Sequence, residues 1–202
     1  LKEKRIEQFL NKDVMPLFQE IMNKLVENLR KDIYKIKKDF KRNLEETVEI
    51  IKELQEKGEL KTLGYLIITM LRTEIAQRNY KYRIKAYNKY LYFDINPKDI
   101  TDIDVSYFYN DLDTMWDTLY KEAKKYFLYV TPNDVDNIIQ ILIEQIHNFM
   151  VYAYMEAVEE MDMETLMNTI SVEDDFQLLI GEYMDNTIIL YEKTKEEDII
   201  NT

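Results

Sequence analysis

The sequence predicts an all-α fold, a single irregular bundle of about five helices around a central apolar helix, with one long helix at the N-terminal end. Three observations predict it. Three glycines and three prolines in 202 residues are few for the turns of a sandwich, a barrel or a multi-stranded sheet. Apolar residues from Phe18 to Leu54 recur by threes and fours, 36 residues in ten steps, which is the period of a straight α-helix. The stretch from Pro132 to about Met161 is apolar on most of its circumference, as a helix central to a bundle is.

Taken in order, a short amphipathic lead-in from Lys2 to Leu10 precedes a helix start at Asp13, with Pro16 tolerated in the first turn. The stripe Phe18, Met22, Leu25, Leu29, Ile33, Ile36, Phe40, Leu44, Val48, Ile51 and Leu54 carries one helix to Lys57, and Gly58 supplies its stop. Such a helix is about 63 Å long at 1.5 Å per residue. Its middle, from Arg30 to Arg42, offers about one apolar residue per turn. Either it breaks there or it projects and packs on a narrow seam. A second helix is expected from about Leu60 to Tyr92, followed by a linker at Asp94 to Asp99, where Pro97 disfavours helix at Asn96. Thr101-x-x-Asp104 reads as a capping box opening a third helix to about Tyr129. Thr131-Pro132-Asn133-Asp134 is the clearest start, with an N-cap threonine, proline in the first turn and an acid behind it. Ser171-x-x-Asp174 is expected to open the last long helix, with Gly181 inside it and a polar, frayed tail from Thr194. Residues 1–202 read as one domain, with residues 1–58 as a candidate projecting extension.

Composition narrows the chemistry. Cysteine is absent, which removes disulfides, thiolate nucleophiles and Cys-based zinc sites and suggests a reducing, cytoplasmic setting. The most apolar run, Leu63 to Leu71, is flanked by Lys61 and Arg72 and falls short of the ~20 residues that span a bilayer, so no membrane contact is expected. The first residues, from Leu1 to Arg5, have no apolar signal region behind them and no initiator methionine, as in a fragment or a trimmed product. Net charge is −12, unevenly divided: residues 1–93 hold 21 Lys and Arg against 14 Asp and Glu, and residues 94–202 hold 6 against 25. The expectation is that the two halves attract one another, within one fold or across a dimer.

Two serines and one histidine, with neither serine in a nucleophile elbow, make hydrolase triads improbable. The glycines are too far apart for a phosphate-binding loop, so nucleotide chemistry of that kind drops out and no cofactor is implied. Three constellations remain. Glu144-x-x-His147 has the spacing that aims a carboxylate and an imidazole at a carboxylate-bridged metal pair, although a second such motif cannot exist with one histidine. The acidic run Asp99, Asp102, Asp104, Asp111, Asp113 and Asp117 lacks the glycine and terminal glutamate of a calcium loop and reads as a solvated face. Between Arg78 and Tyr92, basic and aromatic residues alternate. On a helix Arg78, Tyr82, Lys85 and Lys89 share one face and Tyr80, Arg83, Tyr87 and Tyr90 a neighbouring one, which suits phosphates and unpaired bases. It equally suits lysine and arginine stems laid over rings beside the acidic half.

A narrow seam on a long helix, with many Tyr and Met, is what a helix-mediated interaction protein carries. The sequence therefore reads first as a non-catalytic regulatory or adaptor module, a homodimer through Ile33, Ile36 and Phe40. The alternatives are a nucleic-acid-binding protein using Arg78, Tyr82, Arg83, Lys85, Tyr87 and Lys89, and a di-metal enzyme built on Glu144 and His147.

Overall fold

A computed structural model describes residues 2–193. The chain divides into two compact units, Leu1–Ile33 with Ser106–Tyr152 and Tyr34–Val105 with Ala153–Thr202. The tail from Thr194 lies outside the described residues.

The all-α expectation is wrong. The second unit holds a five-stranded mixed sheet in the order β3-β2-β1-β4-β5. Its strands are β1 (Leu63–Met70), β2 (Lys81–Tyr87), β3 (Lys98–Asp104), β4 (Val172–Glu182) and β5 (Thr187–Glu192). Neighbours run antiparallel except β1 and β4, which are parallel. A parallel pair needs a long crossover, and here residues 106–152 of the first unit lie within that crossover.

Two expected helices and the start of a third give way to strands for a common reason. Leu63 to Met70 is a short apolar run rich in β-branched and aromatic residues, which periodicity cannot assign but which suits a strand buried on both faces. Lys81-Tyr82-Arg83-Ile84-Lys85-Ala86 alternates polar and apolar with period two, and the apolar members Tyr82, Ile84 and Ala86 are all buried. Thr101 and Asp104 lie in β3 rather than at a helix start, and Ser171 precedes β4, which contains Gly181. Scarce glycine did not forbid the turns. Arg78, Leu91 and Met184 adopt positive φ of 61°, 52° and 56°, the left-handed conformation usually left to glycine.

The two strongest helical signals are real helices. Helix α1 (Lys2–Phe9) passes through a π-helical turn, Leu10–Val14, directly into α2 (Met15–Glu56), so no helix starts at Asp13. Gly58, at φ 70°, follows the end of α2, and its amide bonds to the Gln55 carbonyl. Helix α3 (Arg72–Ala76) lies between β1 and β2, and α4 (Ser106–Tyr109) and α5 (Leu112–Ala123) follow β3. Helix α6 (Pro132–Glu159) begins where the capping residues place it: the Thr131 amide and hydroxyl both donate to Asp134 Oδ2, at 2.8 and 2.7 Å. Helix α7 (Met163–Met167) is capped by Asp162, which accepts from the Thr165 amide at 3.1 Å.

In the first unit, described elements are helices and turns only. Tyr126 packs edge-on against Phe9 at 5.3 Å and donates to Asp13 at 2.5 Å, and Tyr107 donates to Asp32 at 3.3 Å. In the second unit one sheet face is the core side. Leu66, Ile68, Met70, Tyr82, Ile84, Phe176, Leu178 and Ile180 are buried there, as are Phe40, Leu44, Val48 and Ile51 of α2 within the same unit. The Phe40 ring stacks on Tyr154 of α6 at 4.2 Å, and Lys37 bridges Glu160 and Glu156 at 2.8 and 3.0 Å. No helix among the described residues is long and apolar enough to cross a membrane.

Candidate protein-interaction site

The opposite, outer face of the sheet is built from the alternate residues. Register places Tyr65, Ile67 and Thr69 of β1 beside Tyr87, Lys85 and Arg83 of β2, and Gln177, Leu179 and Gly181 of β4. Ile67, Tyr87 and Leu179 are buried in a second, small core there, against which Tyr65, Leu91 and Tyr92 pack. Among the described residues, this small core has a local cover. It comes from the connection between β2 and β3, residues 88–97, which folds back so that Tyr92 meets Tyr87 edge-on at 5.8 Å and Tyr183 at 6.3 Å. Burial raises the phenol pKa of both Tyr87 and Tyr92, so these rings stay neutral and act as packing groups.

The connection is held rigidly. Asp94 accepts from the amides of Asn88 and Asn96 at 2.8 and 2.9 Å, and Asn88 Oδ1 accepts from the Tyr90 amide at 2.8 Å. A 3₁₀ turn over Leu91–Phe93 adds backbone bonds from Leu91 to Asn88, Phe93 to Tyr90 and Asp94 to Leu91. Gly64 of β1 lets this backbone come close, since a Cβ there would stand 2.6 Å from Lys89 Cα and 2.8 Å from Lys89 N. Yet this ordered segment turns Tyr90, Phe93 and Ile95 outward, 60%, 88% and 99% exposed. Lys89 lies over the Tyr90 ring at 5.4 Å.

The residues singled out in the sequence fall differently from their helical placement. Arg78 occupies the left-handed position after α3, and Tyr82 is on the core side, fully buried. Arg83 and Lys85 do share the outer face, where they are committed to acids of β3: Arg83 to Asp102 at 3.1 Å and Asp99 at 3.5 Å, Lys85 to Asp99 at 3.1 Å. Asp102, with Asp99 behind it, raises the Arg83 pKa, and Lys85 also lies 5.3 Å from the Tyr183 ring centre. Tyr87 is buried, so its ring offers no open face for a base, and Lys89 belongs to the loop rather than to a helical row. The expected attraction between basic and acidic halves is met within each unit, by these pairs, by Arg72 with Glu182 at 2.5 Å, and by Lys2 with Asp134 at 3.7 Å.

Ile36 and Phe40 of the expected seam are buried within their own unit, and Ile33 is partly buried. His147 is buried and Glu144 partly so on α6, and among the described residues no three His, Asp or Glu side chains are grouped to hold a metal ion. Sequence reasoning missed Phe93 and Ile95 and set Tyr90 on a helical face rather than in a loop, although the signal was present: three large apolar residues inside a stretch punctuated by Asn88, Asp94, Asn96 and Pro97. Compared with protein-family models, curated proteins and solved structures, the chain matches none.

Proposed function

We propose that the chain is a non-catalytic module, regulatory or adaptor in kind, that grips a protein partner with the 88–97 loop. The observation that carries this reading is order combined with exposure: a loop fixed by Asp94, Asn88 and the Tyr92 anchor presents Tyr90, Phe93 and Ile95 to solvent. Rigid aromatic side chains bind at small entropic cost, because their backbone is already ordered before the partner arrives. Leu91 at φ 52° carries backbone strain within the same loop, as binding segments often do. The lack of cysteine supports a reducing, cytoplasmic setting.

A photo-crosslinking residue placed at Phe93 should capture a discrete partner in the cells that make the protein, while the same residue at Tyr34, 85% exposed on α2, should not. With that partner in hand, Phe93→Ala should weaken binding by about 2 kcal/mol or more, roughly thirtyfold. Equal labelling from both positions, or none from Phe93, sinks the reading.

A further inference from the structure

The two edges of the sheet are unlike. Strand β3, at one edge, carries Lys98, Asp99, Asp102 and Asp104, and charges along an edge discourage a further strand from adding. Strand β5, at the other edge, reads Thr187-Ile188-Ile189-Leu190-Tyr191-Glu192, with no charge before its last residue, and among the described residues its one strand neighbour is β4. Ile188 and Ile189 are 40% and 48% exposed.

We propose that β5 pairs antiparallel with β5 of a second copy of this chain, joining two five-stranded sheets into one. The argument for a second copy is that β5 is complementary to itself. In the register that sets Thr187 opposite Glu192, Ile188 falls opposite Tyr191 and Ile189 opposite Leu190, so no two like charges meet. The faces agree as well. Thr187 and Glu192 pair with Gly181 and Gln177 of the outer face, whereas Ile188 and Tyr191 pair with Ile180 and Leu178 of the core face. In a regular strand residues three apart point to opposite faces; the irregularity between Leu178 and Leu179, which leaves Leu190 as the extra residue of β5, puts Ile188 and Tyr191 on the same one. A bulge that would hinder pairing with a regular strand therefore fits its own symmetry mate.

Two copies of net charge −12 repel, so the dimer should tighten as salt screens that repulsion. Sedimentation of the full chain across protein concentration, in low and in high salt, should show a dimer favoured by salt. Ile188→Lys and Ile189→Lys should each give monomer with unchanged circular dichroism and melting, because both side chains are already partly in water. As the chain has no cysteine, Ile189→Cys protein mixed with Leu190→Cys protein should form a disulfide-linked pair on oxidation, in preference to either alone. Phe93→Asp should leave the dimer intact, which separates this surface from the partner loop. Wild-type monomer at every concentration and salt overturns the proposal, as does a dimer that survives both lysine variants or is lost with Phe93→Asp.

Discussion

Adding one methyl group to Gly64 tests whether the 88–97 loop is seated on β1 as described. A Cβ at this position stands 2.6 Å from Lys89 Cα and 2.8 Å from Lys89 N. Carbon atoms in comfortable contact sit about 3.5–4.0 Å apart, so the Lys89 backbone must retreat by roughly 1 Å. Backbone cannot rotate away as a flexible side chain can. Overpacking of this kind costs about 1–3 kcal/mol, and at about 2 kcal/mol the melting temperature should fall by roughly 4–8 °C. The displacement also pulls on Asn88, whose carbonyl accepts the Leu91 amide and whose own amide is held by Asp94. Hydrogen exchange should therefore quicken at Asn88, Leu91 and Asp94 in Gly64→Ala while amides of α6 keep their protection. Gly58→Ala is the control: with φ 70° and nothing within 4 Å, it loses only the left-handed preference, about 1 kcal/mol, and leaves the loop unchanged. A Gly64→Ala protein that melts and exchanges like wild type would refute the close approach and the rigidity inferred from it.

Phe40→Ala, which removes a buried ring stacked on Tyr154, should cost about 3–5 kcal/mol in chemical denaturation; the loss should not depend on protein concentration, whereas an interface role would make it grow with concentration. Asp134 has a lowered pKa because Thr131 donates to it through hydroxyl and amide, with Lys2 adding to the effect. Its stabilising contribution is present above the usual carboxylate pKa and disappears as pH falls through the lower folded value, so Asp134→Asn should be less stable by about 0.5–2 kcal/mol at neutral pH and converge with wild type in acid melts. Tyr126 has the opposite sign: burial and Asp13 push its phenol up to about 12. Its contribution is present below the ordinary tyrosine pKa and lost as pH rises through about 12, and Tyr126→Phe should remove one late-ionising phenol from the alkaline absorbance titration.

Local patterns determined part of this protein. The stripe through Leu25, Leu29, Ile36, Phe40, Leu44, Val48 and Ile51 is long enough to fix a helix by periodicity alone, and those residues are buried along α2. Thr131, Pro132 and Asp134 fix the start of α6 because capping is chemistry between residues three apart. The absence of cysteine and of any phosphate-binding glycine loop is likewise settled by composition.

Only the tertiary structure decided the sheet. Leu63 to Met70 has the same apolar content whether coiled or extended; pairing with Ile84 on one side and Ile180 on the other makes it a strand. The alternation in Lys81 to Ala86 was visible, but its meaning depended on a neighbour supplying Asp99 and Asp102 to meet Lys85 and Arg83. Few glycines argued against turns, because a left-handed backbone is costly for other residues when nothing holds it. At Leu91 the surrounding turn is held by Asn88 and Asp94, and Tyr92 is anchored between Tyr87 and Tyr183. The exposure of Tyr90, Phe93 and Ile95 belongs to the same class of fact. Sequence supplies three apolar side chains; the outer core claims Leu91 and Tyr92 from their midst, and a rigid turn between strands then leaves those three in water.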